Sequence, residues 1–170
     1  MADRGIVVLG IDPGSRVTGY GLVREVSGQA TLVATGTVRT GSVKDLGVRL
    51  GKIYSGIAAL IEEHGPHEAA VENVFVSKNT MSALKLGQAR GSAIAACAVA
   101  GLPVAAYEPT VVKKNLVGTG RAAKSQVAYM VANSLGMKNP GWPEDASDAL
   151  AVALCHLNQR RMNRLIGEAS

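Results

Sequence analysis

Sulfur and aromatic rings are scarce in this chain. Its 170 residues include two cysteines, one phenylalanine, one tryptophan and four tyrosines. Cys97 and Cys155 stand in apolar helical patterns and form no C-x-x-C pair. That argues against a thiolate zinc site and a disulfide scaffold, and reads both as packed thiols of a reducing compartment, the cytoplasm. Long hydrophobic runs are missing too. The most apolar stretch, residues 93–106, is alanine-rich and broken by Gly101 and Pro103, too short to cross a bilayer. No secretory signal pattern opens the chain, and it carries no P-loop, internal repeat or low-complexity segment. Acids are outnumbered. Thirteen Asp and Glu against 18 Lys and Arg leave a net charge of +5 and a pI near 9.4. This balance favours a polyanionic partner, although an ordinary basic soluble protein has it as well.

What is present suffices for a folded core. Hydrophobic residues make up 47% and mean hydropathy is +0.16, which excludes a disordered chain. The length suits one domain, expected over residues 1–164, with residues 165–170 fraying. Ile6–Ile11 is a β-branched apolar run, read as a strand buried on both faces. Val17–Val26 and Ala30–Val38 follow as strands around a Ser27-Gly28 hairpin signal. Leu46, Leu50, Ile53, Ile57, Leu60 and Ile61 make a helical stripe that His64-Gly65-Pro66 stops. Glu68–Phe75 returns to strand character. A helix over Asn79–Val99 comes next, then a strand over Leu102–Tyr107 and helices over Pro109–Val117 and Ala123–Leu135. A last helix starts near Glu144, and Arg160, Arg161 and Arg164 near its end suit its dipole. Gly87 and Gly91 lie one helical turn apart, inviting close approach by the sheet or by a second subunit. Three antiparallel strands followed by alternating helices and strands imply an α/β mixed sheet with helices on both faces.

With so few acids, each can be sorted. Asp3, Glu25, Asp45, Glu62, Glu63, Glu68, Glu108 and Glu168 lie in polar or terminal settings and read as solvated. Glu144 suits the start of a helix. Four remain. Asp12 ends the first strand before Pro13-Gly14, and Glu72 follows Ala69-Ala70-Val71 in another strand. Asp145 and Asp148 share a face at the start of the last helix. A surface turn explains Asp12 alone, and dipole complementation explains the Asp145/Asp148 pair alone. Taken together, two acids on strands and two on a helix start can converge on one sheet edge. Four such carboxylates would raise one another's pKa unless a divalent cation lay among them. Oxygen ligands without thiolate point to Mg²⁺ or Mn²⁺, and two ions would suit phosphodiester hydrolysis. His64 and His67 are expected on the surface, and His156 on the outside of the last helix.

The motifs Gly10-Ile11-Asp12-Pro13-Gly14, Thr18-Gly19-Tyr20-Gly21, Glu72-Asn73-Val74-Phe75, Ser82–Gly91, Val117-Gly118-Thr119-Gly120, Lys124-Ser125-Gln126-Val127 and Asp145–Ala151 occur in order along nearly the whole chain. In this the chain resembles the RuvC family of Holliday junction resolvases, in the ribonuclease H-like superfamily. The resemblance implies a ribonuclease H-like fold and a homodimer that cuts two opposed strands of a four-way DNA junction with Mg²⁺ or Mn²⁺, two ions per subunit. It implies catalytic acids at Asp12, Glu72, Asp145 and Asp148, the third being His in some relatives. Basic residues near the cut phosphate fall on Lys113 and Lys124, the latter catalytic, and a junction-contacting aromatic falls on Phe75. It places the helix bearing Gly87 and Gly91 at the dimer interface. It also implies the RuvA and RuvB branch-migration proteins as partners. Asn73 stands where some members have Gln.

Around that site, Lys78, Lys85, Arg90 and Arg121 are expected to hold DNA backbone. Phe75 sits where a strand gives way to a polar turn, a place for an exposed ring to stack on unstacked bases, although a lone Phe also suits a core. Three other readings compete. A YqgF-like nuclease of the same superfamily is usually shorter. An actin-like ATPase needs two such domains. A junction-binding module without catalysis has no need of four acids.

Overall fold

The structure, a computed structural model, describes residues 5–73 and 78–168. Its centre is a five-stranded sheet in the order β3-β2-β1-β4-β5. The strands are β1 (Ile6–Asp12), β2 (Val17–Val26), β3 (Gln29–Arg39), β4 (Glu68–Glu72) and β5 (Val104–Tyr107). β1, β2 and β3 pair antiparallel. β4 and then β5 add in parallel beyond β1. The helices are α1 (Leu46–His64), α2 (Thr80–Val99), α3 (Pro109–Val117), α4 (Lys124–Ser134) and α5 (Glu144–Glu168).

Strand alternation sorts the core into two layers. Val7, Leu9 and Ile11 of β1, with Ala69 and Val71 of β4, pack against Ile53, Ile57, Ala89 and Ala93 of α1 and α2. Val8 and Ala70 face the other way, onto Leu150, Ala153, Leu154 and Leu157 of α5 and onto residues of α3 and α4. Because both faces are covered, β1 reads as a continuous apolar run rather than an alternating one.

Local chemistry sets most element ends. Asp45 caps α1 by accepting from the Val48 N–H at 2.8 Å, and Gly65, left-handed at φ 54°, closes it before Pro66. Asn79 caps α2 through the Met81 and Ser82 N–H groups. Pro109 opens α3 and left-handed Gly118 ends it.

Four sequence expectations change. α5 continues to Glu168 instead of fraying after Arg164, although residues 161–167 are exposed. Arg160 and Arg161 therefore do not terminate a helix. They pair across the molecule with Glu68 at 3.0 Å and Glu25 at 2.9 Å, so those two acids are ion-paired and not merely solvated. His156 is part-buried, not outside the helix. Finally, nothing lies within 4 Å of where a Cβ would stand on Gly87 or Gly91. The sheet does not use that face of α2, which leaves the second-subunit alternative.

Candidate active site

The site is built where the C-terminal ends of two parallel strands meet the first turns of α5. The register Ile11↔Val71 between β1 and β4 brings Asp12 and Glu72 out of the sheet side by side. Buried Thr18 braces the turn after Asp12, donating to the Gly14 carbonyl at 3.0 Å and accepting from the Gly14 N–H at 3.3 Å. Buried Thr40 donates to the Ser15 and Arg16 carbonyls just beyond.

Helix α5 reaches the site because the sheet beneath it lacks side chains. A Cβ on Gly10 would stand 2.1 Å from the Ala149 carbonyl oxygen, and one on Gly19 would stand 1.8 Å from that of Asp145. Asp12 and Gly19 are partners across β1 and β2. The backbone of the first turn of α5 thus rests almost on the sheet, which carries Asp145 and Asp148 to Asp12.

Crowding shows in the acids' proton affinities. Burial pushes Asp12 well above the ordinary carboxylate range, and Glu72, Asp148 and Asp145 push it further. Burial also raises Glu72, against a hydrogen bond from Asp12 and the charges of Lys124 and Lys113. Asp148 is raised by burial against the pull of Lys124. Lys124 Nζ is bonded to Glu144 and stands 3.7 Å from Asp148. Among the described residues no group of three or more His, Cys, Asp or Glu stands arranged to hold a metal ion. The donor chemistry nonetheless fits a hard divalent cation. Burial first, and neighbouring carboxylates second, make Asp12 and Glu72 hold a proton more readily than usual, a penalty that a bound cation would relieve, and both donors are oxygens.

Lys113 and Lys124 are therefore near the acids, as the resemblance implies. Lys78, Lys85 and Arg121 are exposed. Phe75 lies outside the described residues. Arg90 is placed differently from a free phosphate contact. Its Nε donates to the Glu72 carbonyl at 3.2 Å and its Nη2 to Asn73 Oδ1 at 2.7 Å. Asn73 in turn donates to Glu108 Oε1 at 2.8 Å, so Glu108 is engaged and not simply solvated. Sequence reasoning missed this latch, and also a second network. There Tyr107 Oη lies 2.7 Å from His156 Nδ1, and His156 Nε2 lies 2.6 Å from Glu68. No local pattern signals the second, since the partners of His156 lie 49 and 88 residues away.

The comparisons with known proteins follow this geometry. The family model described as crossover junction endodeoxyribonuclease RuvC matches residues 8–156. A curated crossover junction endodeoxyribonuclease RuvC of Solidesulfovibrio magneticus is 64% identical over 161 residues, covering 95% of each chain. The corresponding protein of Oleidesulfovibrio alaskensis is 59% identical, covering 97% of this chain and 98% of its own.

The chain belongs to the RuvC family.

Solved structures agree. Thermus thermophilus RuvC in complex with a Holliday junction substrate superposes with a TM-score of 0.87 at 39% identity, covering 93% of this chain and 96% of that one. The yeast mitochondrial Holliday junction resolvase Ydc2, at 11% identity and a TM-score of 0.68, shares the fold. The ribonuclease H-like reading is thus borne out, with three antiparallel strands and then parallel ones, and so is membership of a RuvC nuclease family that implies divalent-metal dependence. No helix among the described residues is long and apolar enough to cross a membrane.

Proposed function

We propose that this chain resolves four-way DNA junctions by symmetric, divalent-metal-dependent cleavage of two opposed strands, in recombination and repair. The observation that carries the reading is the convergence of Asp12, Glu72 and Asp148, with Asp145, at one sheet edge, in a chain of the RuvC family. The RuvC relative from Thermus was solved with a junction substrate, which supports the substrate class. One domain over residues 1–164 serves the whole reaction, in the cytoplasm, as half of a homodimer paired through the Gly87/Gly91 face of α2. RuvA and RuvB are the partners that the family resemblance implies.

Asp12, Glu72, Asp145 and Asp148 would hold two Mg²⁺ or Mn²⁺ ions, which when bound supply an activated water and a stabilised leaving oxygen. The residues themselves do the remaining work. Lys124, poised between Glu144 and Asp148, takes the charge that builds on the cut phosphate, and Lys113 lends its charge beside Glu72. Lys78, Lys85 and Arg121 hold flanking backbone, and Phe75 stacks on junction bases. Arg90 is a positioning residue for Glu72.

A labelled mobile junction incubated with Mg²⁺, Mn²⁺ or EDTA tests this. Paired symmetric nicks with either metal and none in EDTA are expected. Gel-shifted but uncut junction in all three would leave only a binding module.

A further inference from the structure

A groove of about 760 Å³ opens directly beside the acids, between α4 and the connector that leads into α5. Asp148 and Lys124 are among its lining residues, so it is continuous with the site above. Its size falls in the roughly 300–1,000 Å³ range of small-ligand sites. Its lining is unusual for this chain. Six aromatic residues serve 170 positions, yet Tyr129 and the single tryptophan, Trp142, both line this groove. Trp142 is anchored by packing against the α5 core layer, while Tyr129 is 70% exposed on α4 and takes no part in the core. Asn133 offers an amide to a base edge, and exposed Lys138 adds a second cation to that of Lys124.

We propose that this groove receives an unstacked nucleobase of the cleaved strand, next to the cut phosphate. An anchored ring and an exposed ring, with two lysines in the same lining, are the parts of a stacking site on single-stranded DNA. Because Asp148 and Lys124 line it, the groove adjoins the site where the cut phosphate would lie. Junction crossovers supply such bases, because stacking is interrupted where strands exchange. Glu144 also lines the groove, but Lys124 holds its carboxylate. The inference rests on the junction-resolving reading above.

The test follows Trp142 emission while the full chain is titrated with a four-way junction in EDTA, so that no strand is cut. Emission is expected to change on binding, and to stay unchanged with a junction made abasic at the nucleotides flanking the incision points. Tyr129→Ala should weaken binding of the intact junction about tenfold, within the range for one stacked base, and cost nothing further on the abasic junction. A gel-shifted complex with unchanged emission overturns the groove assignment and leaves junction binding standing. So do losses from Tyr129→Ala and from abasic sites that multiply independently. Absence of any gel shift overturns both this inference and the reading beneath it.

Discussion

At the scale of single residues, chemistry followed from position relative to element ends. Asp12 and Glu72 were legible because each acid breaks an apolar strand run, and Asp145 and Asp148 because their spacing is that of a helix face. Asp12→Asn is expected to abolish cleavage, at a cost of roughly several kcal/mol in transition-state stabilisation, while junction binding holds or tightens. Single-turnover cleavage and gel shifts on the same preparation check this, and near-wild-type cleavage would sink the metal-ligand role. Glu68 was misread as solvated because its partners His156 and Arg160 lie 88 and 92 residues away, beyond any local pattern. Burial raises its carboxyl, but hydrogen bonds from His156 and Arg160 outweigh this and hold it below the ordinary 4.5. A depressed folded value means that ionised Glu68 stabilises the fold above about pH 4.5 and that the gain is lost as pH falls through that lowered value. Glu68→Gln should therefore lower the melting temperature at pH 7, with the gap to the parent narrowing as pH falls below the ordinary 4.5. A gap that stays constant as pH falls through that range would refute the ionic contribution.

Elements were legible where the sequence punctuates them. Pro109 and Gly118 bound α3 at the expected residues, and His64-Gly65-Pro66 stopped α1. The far end of α5 was not legible, because helix signals there compete with exposure and no Gly or Pro intervenes before Gly167. Contact between elements was hidden too. Arg90 on α2 looked like one more surface cation, and its engagement with the end of β4 depends on a packing that no local pattern reveals. Arg90→Ala leaves the Glu72 carbonyl and Asn73 without their donor, a loss of about 1–3 kcal/mol, and Arg90→Lys cannot restore a forked contact. Both variants should slow cleavage while keeping the salt dependence of binding, whereas a phosphate contact would flatten that dependence. Salt-titrated binding and single-turnover rates separate the two. Gly19→Ala tests how α5 rests on the sheet. Its Cβ would collide with the Asp145 carbonyl oxygen, so the first turn of α5 must lift. We expect a stability loss of about 1–3 kcal/mol in denaturant melts and a larger proportional loss of cleavage. Wild-type cleavage at reduced stability would show that the acids tolerate the shift.

For the whole molecule, a mixed sheet covered by helices on both faces was legible from the succession of elements, whereas the strand order and the partner of the open α2 face were not. Gly87 and Gly91 are open within one chain, so Gly91→Leu should leave the melting of the fold nearly unchanged and shift sedimentation toward the monomer. An unchanged sedimentation coefficient would remove that face from the interface. The resting of α5 on Gly10 and Gly19 has one more consequence, for synthesis. Asp12 leaves the ribosome well before the acids that complete its cluster, which come more than 130 positions later, on α5. A nascent chain therefore exposes one strand of the cluster long before the remainder exists. The polypeptide becomes competent to cut DNA only after translation has delivered α5 and that helix has docked, late in a slow, non-local assembly.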